Sequence, residues 1–326
     1  MRWLGLGLAL VTLDAFSIAL GPGGKFNLLV FEDMQGEYSD VEGRLAVGGN
    51  LTLQHYAVGM ELGRGADFSD TLIVGGHLKF EHGRVYHGNA VSSSAALSHV
   101  GFYDQDPATP TGRLRLGSAL NFTALSQDMR ARSRNWASLS ANGEIRIDGD
   151  SVNWRLYLKG QDSRLNVFAL TTELLTGTDT FYLDVPLSST VLINVAGHIG
   201  ELSSFGFFRK VDSNWLRVPD NSDSFRHDGS LTRRVLFNFF SAEALAIHAI
   251  GVKGSILAPW ADVVFYDGHI DGQLIAKSLR GQPGQATGQV NWYPFISEPK
   301  TLWLILLPLV WLITRSRQTA PRASRR

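Results

Sequence analysis

Read for its hydrophobic and polar positions, the chain shows a repeated pattern. In "VEGRLAVGGNLTL" (residues 41–53), Leu45, Val47, Leu51 and Leu53 alternate with small or polar residues on both sides of Gly48 and Gly49. Alternation of period two around paired glycines predicts two short strands meeting at a corner, because such glycines lose too much backbone entropy inside a helix. The phrase returns as "TLIVGGHLKF" (residues 71–80), placing Val74 27 residues after Val47, and in degraded form as "VSSSAAL" from Val91, 17 residues further on. The longer interval contains "GMELGRGAD", which has the composition of an inserted loop. Near the other end, "KGSILAPWADVVF" and "DGQLIAKSL" set Gly254 against Gly272 and Ala258 against Ala276, both 18 residues apart. A second phrase links the halves: "SDVEGRL" at Ser39, "GRVYHGNA" at Gly83 and "GHIDGQL" at Gly268.

A strand–corner unit of this length cannot bury its own apolar face, so copies must stack into a continuous core. The expected fold is mainly β, a β-solenoid (β-helix-like) body with Val, Leu and Ile inward and glycines at the corners. A β-sandwich with Gly-rich hairpins is the alternative, and the near-constant offset argues against it. One segment breaks the pattern. In "NFTALSQDMRARSRNWASL" (residues 121–139), Phe122, Leu125, Met129, Trp136 and Leu139 recur at helical spacing behind Asn121 as N-cap. This predicts one long α-helix packed alongside the solenoid, covering a sheet face or edge; its arginines also suit a membrane-surface helix, the less favoured role. Strand patterns resume over residues 144–195, and residues 211–229 read as a polar surface loop.

The two ends change the picture of where the body resides. Arg2 precedes an apolar run from Trp3 to Leu13, with Ser17 and Ala19 at signal-peptidase spacing, so residues 1–19 are expected to be a secretory signal peptide cleaved near Ala19; a retained short membrane anchor is the alternative. At the other end "TLWLILLPLVWLIT" (residues 301–314) precedes Arg315, Arg317, Arg322, Arg325 and Arg326, a basic tail that holds its end in the cytoplasm. Fourteen helical residues reach roughly 21 Å, short of the ~30 Å hydrocarbon core, and Pro308 interrupts them. The expected division is therefore a signal peptide (1–19), a solenoid body (20–295) facing outward, and a C-terminal sorting or membrane-anchor segment (296–326).

Composition narrows the function classes. A chain of 326 residues with 44% hydrophobic and 18% charged residues belongs to a folded protein of one large domain, or at most two. Thirty basic residues balance thirty acidic ones, giving no case for a nucleic-acid partner. With no cysteine, disulfides and thiolate metal sites are excluded.

The chemical candidates are sparse. Five of nine histidines, His55, His77, His82, His87 and His99, fall in one stretch, and stacked coils could bring His77, His82 and His87 to a shared metal; isolated turn positions on a solvated face are the favoured reading. Asp262, Asp267 and Asp271 near the corners could serve a groove enzyme, but each is better explained as a turn cap, and no nucleophile–base pair stands out. No enzymatic activity, metal or cofactor is therefore expected. Ice binding would require regularly repeated threonines, and the "LTL" of residues 51–53 is answered by "LKF" at 78–80. Tyr56, Tyr86, Tyr103, Trp260 and Tyr266 could stack on sugar rings or pack coil ends.

"DVEGRLAVGGNLTL", "TLIVGGHLKF", "STVLINVAG", "VLFNFFSAEALAI" and "GVKGSILAPWADVVFYDGHIDGQLIAKSL" together closely resemble the choice-of-anchor A family, over residues 26–295. The resemblance implies an exported bacterial surface protein with an adhesive or extracellular-matrix role and no implied enzymatic activity. The tail, "ISEPKTLWLILLPLVWLITRSR", resembles a PEP-CTERM sorting signal in which Ser297 replaces the first proline while Glu298 and Pro299 fit. That implies an exosortase-like enzyme as a partner, with a permanently tethered membrane protein as the alternative. Extracellular polysaccharide or other surface polymers are the expected ligands; a carbohydrate-active enzyme or glycan-binding protein using a groove along the solenoid is the competing class.

Overall fold

The computed structural model describes residues 18–63, 70–103, 112–149, 153–219 and 229–296. The apolar part of the expected signal peptide, the sorting motif Ser297, Glu298 and Pro299, and the basic tail Arg315, Arg317, Arg322, Arg325 and Arg326 lie outside them. Among the described residues, no helix is long and apolar enough to cross a membrane.

The first coil carries β1 (Leu28–Val30) and β2 (Met34–Val41), and the second β3 (Leu45–Val47) and β4 (Leu51–Val58). Two long bent strands follow, β5 (Asp70–Tyr86) and β6 (Asn89–Tyr103), then β7 (Leu114–Leu116) and the helix α1 (Phe122–Ala137). The next stretch holds β8 (Glu144–Asp148), β9 (Trp154–Lys159), β10 (Leu165–Thr171), the short helix α2 (Thr172–Thr176), β11 (Thr178–Asp184), β12 (Thr190–Ala196), β13 (Ile199–Ser203), β14 (Gly206–Val211) and β15 (Asn214–Arg217). The chain closes with β16 (Val235–Phe239), β17 (Ala244–Lys253), β18 (Ser255–Gly272), β19 (Leu274–Arg280) and β20 (Gln289–Trp292).

Apart from β8 and β15, these strands stack in parallel into a three-faced column, as the repeats predict. Val47 pairs with Val74 and Ala258 with Ala276, so the 27- and 18-residue offsets are coil lengths. "VSSSAAL" joins the same row, with Val91 opposite Ile73. The order of stacking is not the order of sequence. On the first face β1 lies between β19 and β3, pairing Leu28 with both Leu274 and Leu45. The first coil thus sits mid-column; β3, β5, β6 and β7 extend one way, and β19, β18, β16, β12 and β10 the other. A second sheet, β15-β14-β11-β9-β8, forms part of the wall at the latter end, its outer pairs antiparallel. Residues 214–217, expected within a surface loop, are a strand there, because Val211 and Asn214 close a hairpin with β14.

The glycine pairs are dictated by crossing backbones. A Cβ on Gly75 would stand 2.3 Å from the Gly48 carbonyl oxygen, and one on Gly48 2.2 Å from that of Phe31. Only glycine lets successive coils turn at that separation. Inside the column Val30, Val47, Val74, Phe80, Phe237 and Phe265 are buried in one continuous core. The first face is apolar outside as well: Leu29, Ala46, Ile73, Leu192, Leu236, Leu257 and Ile275 pack against Leu125, Met129 and Trp136 of α1. Strands buried on both sides read as unbroken apolar runs, as "LLV" and "LAV" do. The helix is capped as expected, the Asn121 side chain accepting from Ala124 N–H at 3.0 Å. It is the strap that carries the chain from β7 at one end of the column to β8 and β9 at the other.

Candidate functional site

The corner between the second and third faces is turned by one residue in the left-handed region. In the N-terminal coils these are Tyr38 (φ 53°), His55 (φ 50°), His82 (φ 51°) and His99 (φ 55°); in the C-terminal coils they are Ser204, Ala249 and Asp267. Register places the former directly above one another, since their neighbours Glu37, Gln54, Glu81 and Ser98 are paired in series. Parallel strands lie about 4.8 Å apart, close to the separation of stacked planar rings. The four rings accordingly form a ladder, with centroids 4.9, 4.9 and 4.6 Å apart and planes within 12° of parallel.

Beside the ladder runs an open groove of about 690 Å³, bordered by His55, His82, His99, Arg84 and Tyr103. Ala57, Arg84 and Gly101 share one outward row, so the small Ala57 and Gly101 leave room on either side of the Arg84 side chain. The Arg84 guanidinium lies 5.9 Å from the centre of the Tyr103 ring and 3.5 Å from the Tyr86 hydroxyl. The strip therefore offers imidazole edges repeated along the column on one side and a single guanidinium with two phenols on the other. Such a surface makes many modest contacts with an extended ligand.

The structure separates His77, His82 and His87, which stacked coils could have brought to a shared metal. His77, His82 and His87 fall at three successive corners of one coil, because the strand segments between them carry the chain from corner to corner. His77 Nδ1 is 2.9 Å from Ser94 Oγ, His82 stacks in the ladder, and His87 is buried near Tyr86. Among the described residues, no three His, Asp or Glu side chains could hold a metal ion. The histidines that meet are His55, His82 and His99. Their spacings of 27 and 17 residues, equal to coil lengths, were the available signal.

The three aspartates are likewise distributed around one coil. Asp262 accepts hydrogen bonds from Ser278 Oγ (2.6 Å) and Lys277 Nζ (3.0 Å), which hold its carboxyl below the usual carboxylate range. Asp267 turns the left-handed corner, and Asp271 pairs with Lys253 at the next. Of the five aromatics, Tyr103 borders the groove and Tyr86 meets its Arg84 side chain. Tyr56 points into the core, where burial pushes its phenol pKa far up; Trp260 meets Arg134 of α1 at 5.0 Å, and Tyr266 stacks on His248 at 5.0 Å. Among the described residues Thr52 belongs to no threonine row on the second face: it is flanked in register by Gln35 and Lys79, and Lys79 by Ala96.

Comparison with known proteins gives a family match. A family model described as "Putative Ice-binding-like adhesive domain" matches residues 19–289. No curated protein matches the chain. Among solved structures, an ice-binding protein from the Antarctic ascomycete Antarctomyces psychrotrophicus is similar with a TM-score of 0.38 and 11% identity, over 84% of this chain and 98% of that one.

Proposed function

Because this chain belongs to the ice-binding-like adhesive domain family, we propose that it is an exported surface adhesin that holds an extended extracellular polymer along the ladder groove. The observation that carries this reading is the ring ladder of Tyr38, His55, His82 and His99 running beside an open groove along the column. A polymer lying there gains affinity from repetition, each coil adding a weak contact. The polymer class that suits imidazole, phenol and guanidinium edges is polysaccharide, which offers hydroxyl and carboxylate acceptors at short intervals. The reading is of a binding protein, not an enzyme: Asp262, Asp267 and Asp271 face different corners, and an ice-binding role lacks its threonine row.

The finer placement follows from the sequence. The body (20–295) is a choice-of-anchor A domain, delivered by a signal peptide and retained or sorted through Ser297, Glu298, Pro299, the apolar helix and the arginine tail by an exosortase-like enzyme. Mass spectrometry of the mature protein tests the sorting step: loss of everything beyond residues 297–299 supports it, and a retained Arg326 rejects it. The ligand assignment is tested with the full chain and immobilised acidic and neutral polysaccharides. Replacing His55, His82 and His99 together by alanine is expected to lower binding at least tenfold while the circular dichroism stays unchanged. Undiminished binding by that variant would move the site elsewhere on the column.

A further inference from the structure

Away from the ladder, the last corner of the C-terminal coils gathers ionisable groups in a dry setting. Register sets Lys253 of β17 opposite Asp271 of β18, and Asp271 opposite Asn291 of β20. Lys253 is 3% exposed, Asp271 7%, Asn291 6% and the neighbouring His269 9%. Lys253 Nζ stands 2.7 Å from Asp271 Oδ2 and 3.1 Å from His269 Nε2. Asn291 Nδ2 donates to the other carboxyl oxygen, Asp271 Oδ1, at 2.6 Å. As a mere ion pair this arrangement is a poor stabiliser, since desolvating both charges offsets much of their attraction. As a reaction site it is complete: a nucleophilic nitrogen against a carboxyl group, a base on the nitrogen, and a donor on the carboxyl oxygen.

We propose that Lys253 and Asp271 condense to an intramolecular isopeptide bond. The first step moves a proton from the Lys253 ammonium to Asp271 Oδ2 across their 2.7 Å contact. The free amine then attacks Cγ, with His269 Nε2 taking the proton that the nitrogen loses. Negative charge develops on Oδ1, where the Asn291 amide meets it. Collapse of the tetrahedral adduct breaks the Cγ–Oδ2 bond, and His269 returns its proton to the departing oxygen. One amide and one water result, with no change of oxidation state and no further reagent. The fixed approach of amine and carboxyl supplies the effective concentration that condensation in water lacks, and the dry corner shields the product from hydrolysis. The bond ties two successive coils of an adhesive column that has no cysteine for a disulfide.

Peptide mapping of the purified full chain decides the matter. A condensed Lys253 resists trypsin, so residues 235–277 are expected as one loop-linked peptide lighter by one water. Cleavage between the two residues by a second protease should convert it to a branched pair whose fragment ions assign the link. Lys253→Met should abolish the species, and His269→Phe should slow its appearance by at least tenfold after synthesis. Recovery of 235–253 and 254–277 as separate peptides of full mass would overturn the proposal. So would water loss confined to 254–277, which marks a succinimide at Asp271-Gly272 instead.

Discussion

His82 shows how one residue position can serve both backbone and surface. Its φ of 51° lies in the left-handed region, which costs an L-residue with a Cβ about 1–2 kcal/mol. Two ring stacks, on His55 at 4.9 Å and His99 at 4.6 Å, offset this by roughly 0.5–1.5 kcal/mol each. His82→Gly removes both terms and should leave stability within about 1 kcal/mol of the parent. His82→Val keeps the backbone cost and loses the stacks, so it should be less stable than His82→Gly by roughly 1–2 kcal/mol. Urea midpoints at equal m-value measure the difference, and coincident midpoints would show that the corner is not held in the left-handed region. This site was only half legible in the sequence. The coil offset that aligns His55, His82 and His99 is written there, but a left-handed corner made by histidine lacks the glycine that marks one. Proximity in sequence therefore suggested His77, His82 and His87, which the strand segments carry to three separate corners.

For the helix α1, the sequence disclosed the cap and the apolar stripe, because both depend on local spacing. It did not disclose the polar seam beneath them, which depends on which strands lie under the helix. Ser133 Oγ donates to Asn238 Oδ1 at 2.6 Å, and Asn238 Nδ2 donates to the Ser133 carbonyl at 2.9 Å and to Asn194 Oδ1 at 2.8 Å. Asn194 Nδ2 in turn donates to the Trp136 carbonyl at 2.8 Å. Asn194 and Asn238 are opposite one another on β12 and β16, so two coils jointly fix the helix by its backbone. All three side chains are buried. Asn238→Leu strands their donors and acceptors in a dry interface and should cost about 1–3 kcal/mol, with amide exchange accelerated along residues 130–137. Gln127→Ala on the exposed side should stay within about 0.5 kcal/mol of the parent. Equal thermal midpoints for the two variants would mean that packing alone seats the helix.

At the scale of the whole molecule, the repeats specify a column without specifying its order, because equal offsets describe any stack of like coils. The order observed has an energetic consequence. A solenoid wound in sequence order contacts only its neighbours, so its ends can fray independently. Here the first coil is seated between the second and the last, and the side chain of Asn27 locks the seam. Its Nδ2 donates to the carbonyls of Gly272 (2.8 Å) and Asn291 (3.0 Å), while its Oδ1 accepts from Gly43 N–H (2.8 Å). The two halves of the chain therefore cannot complete their stacking separately, and the strap α1 joins their far ends a second time. Unfolding should be one cooperative transition, with calorimetric and van't Hoff enthalpies in agreement. Asn27→Leu removes three buried side-chain hydrogen bonds to the backbone at the seam and should lower stability by about 2 kcal/mol or more. That loss should reach amide protons of β5 in one half and of β12 in the other equally, because both exchange through the same global opening. Faster exchange in β5 alone would show that the halves fold as separate units and that the seam does not couple them.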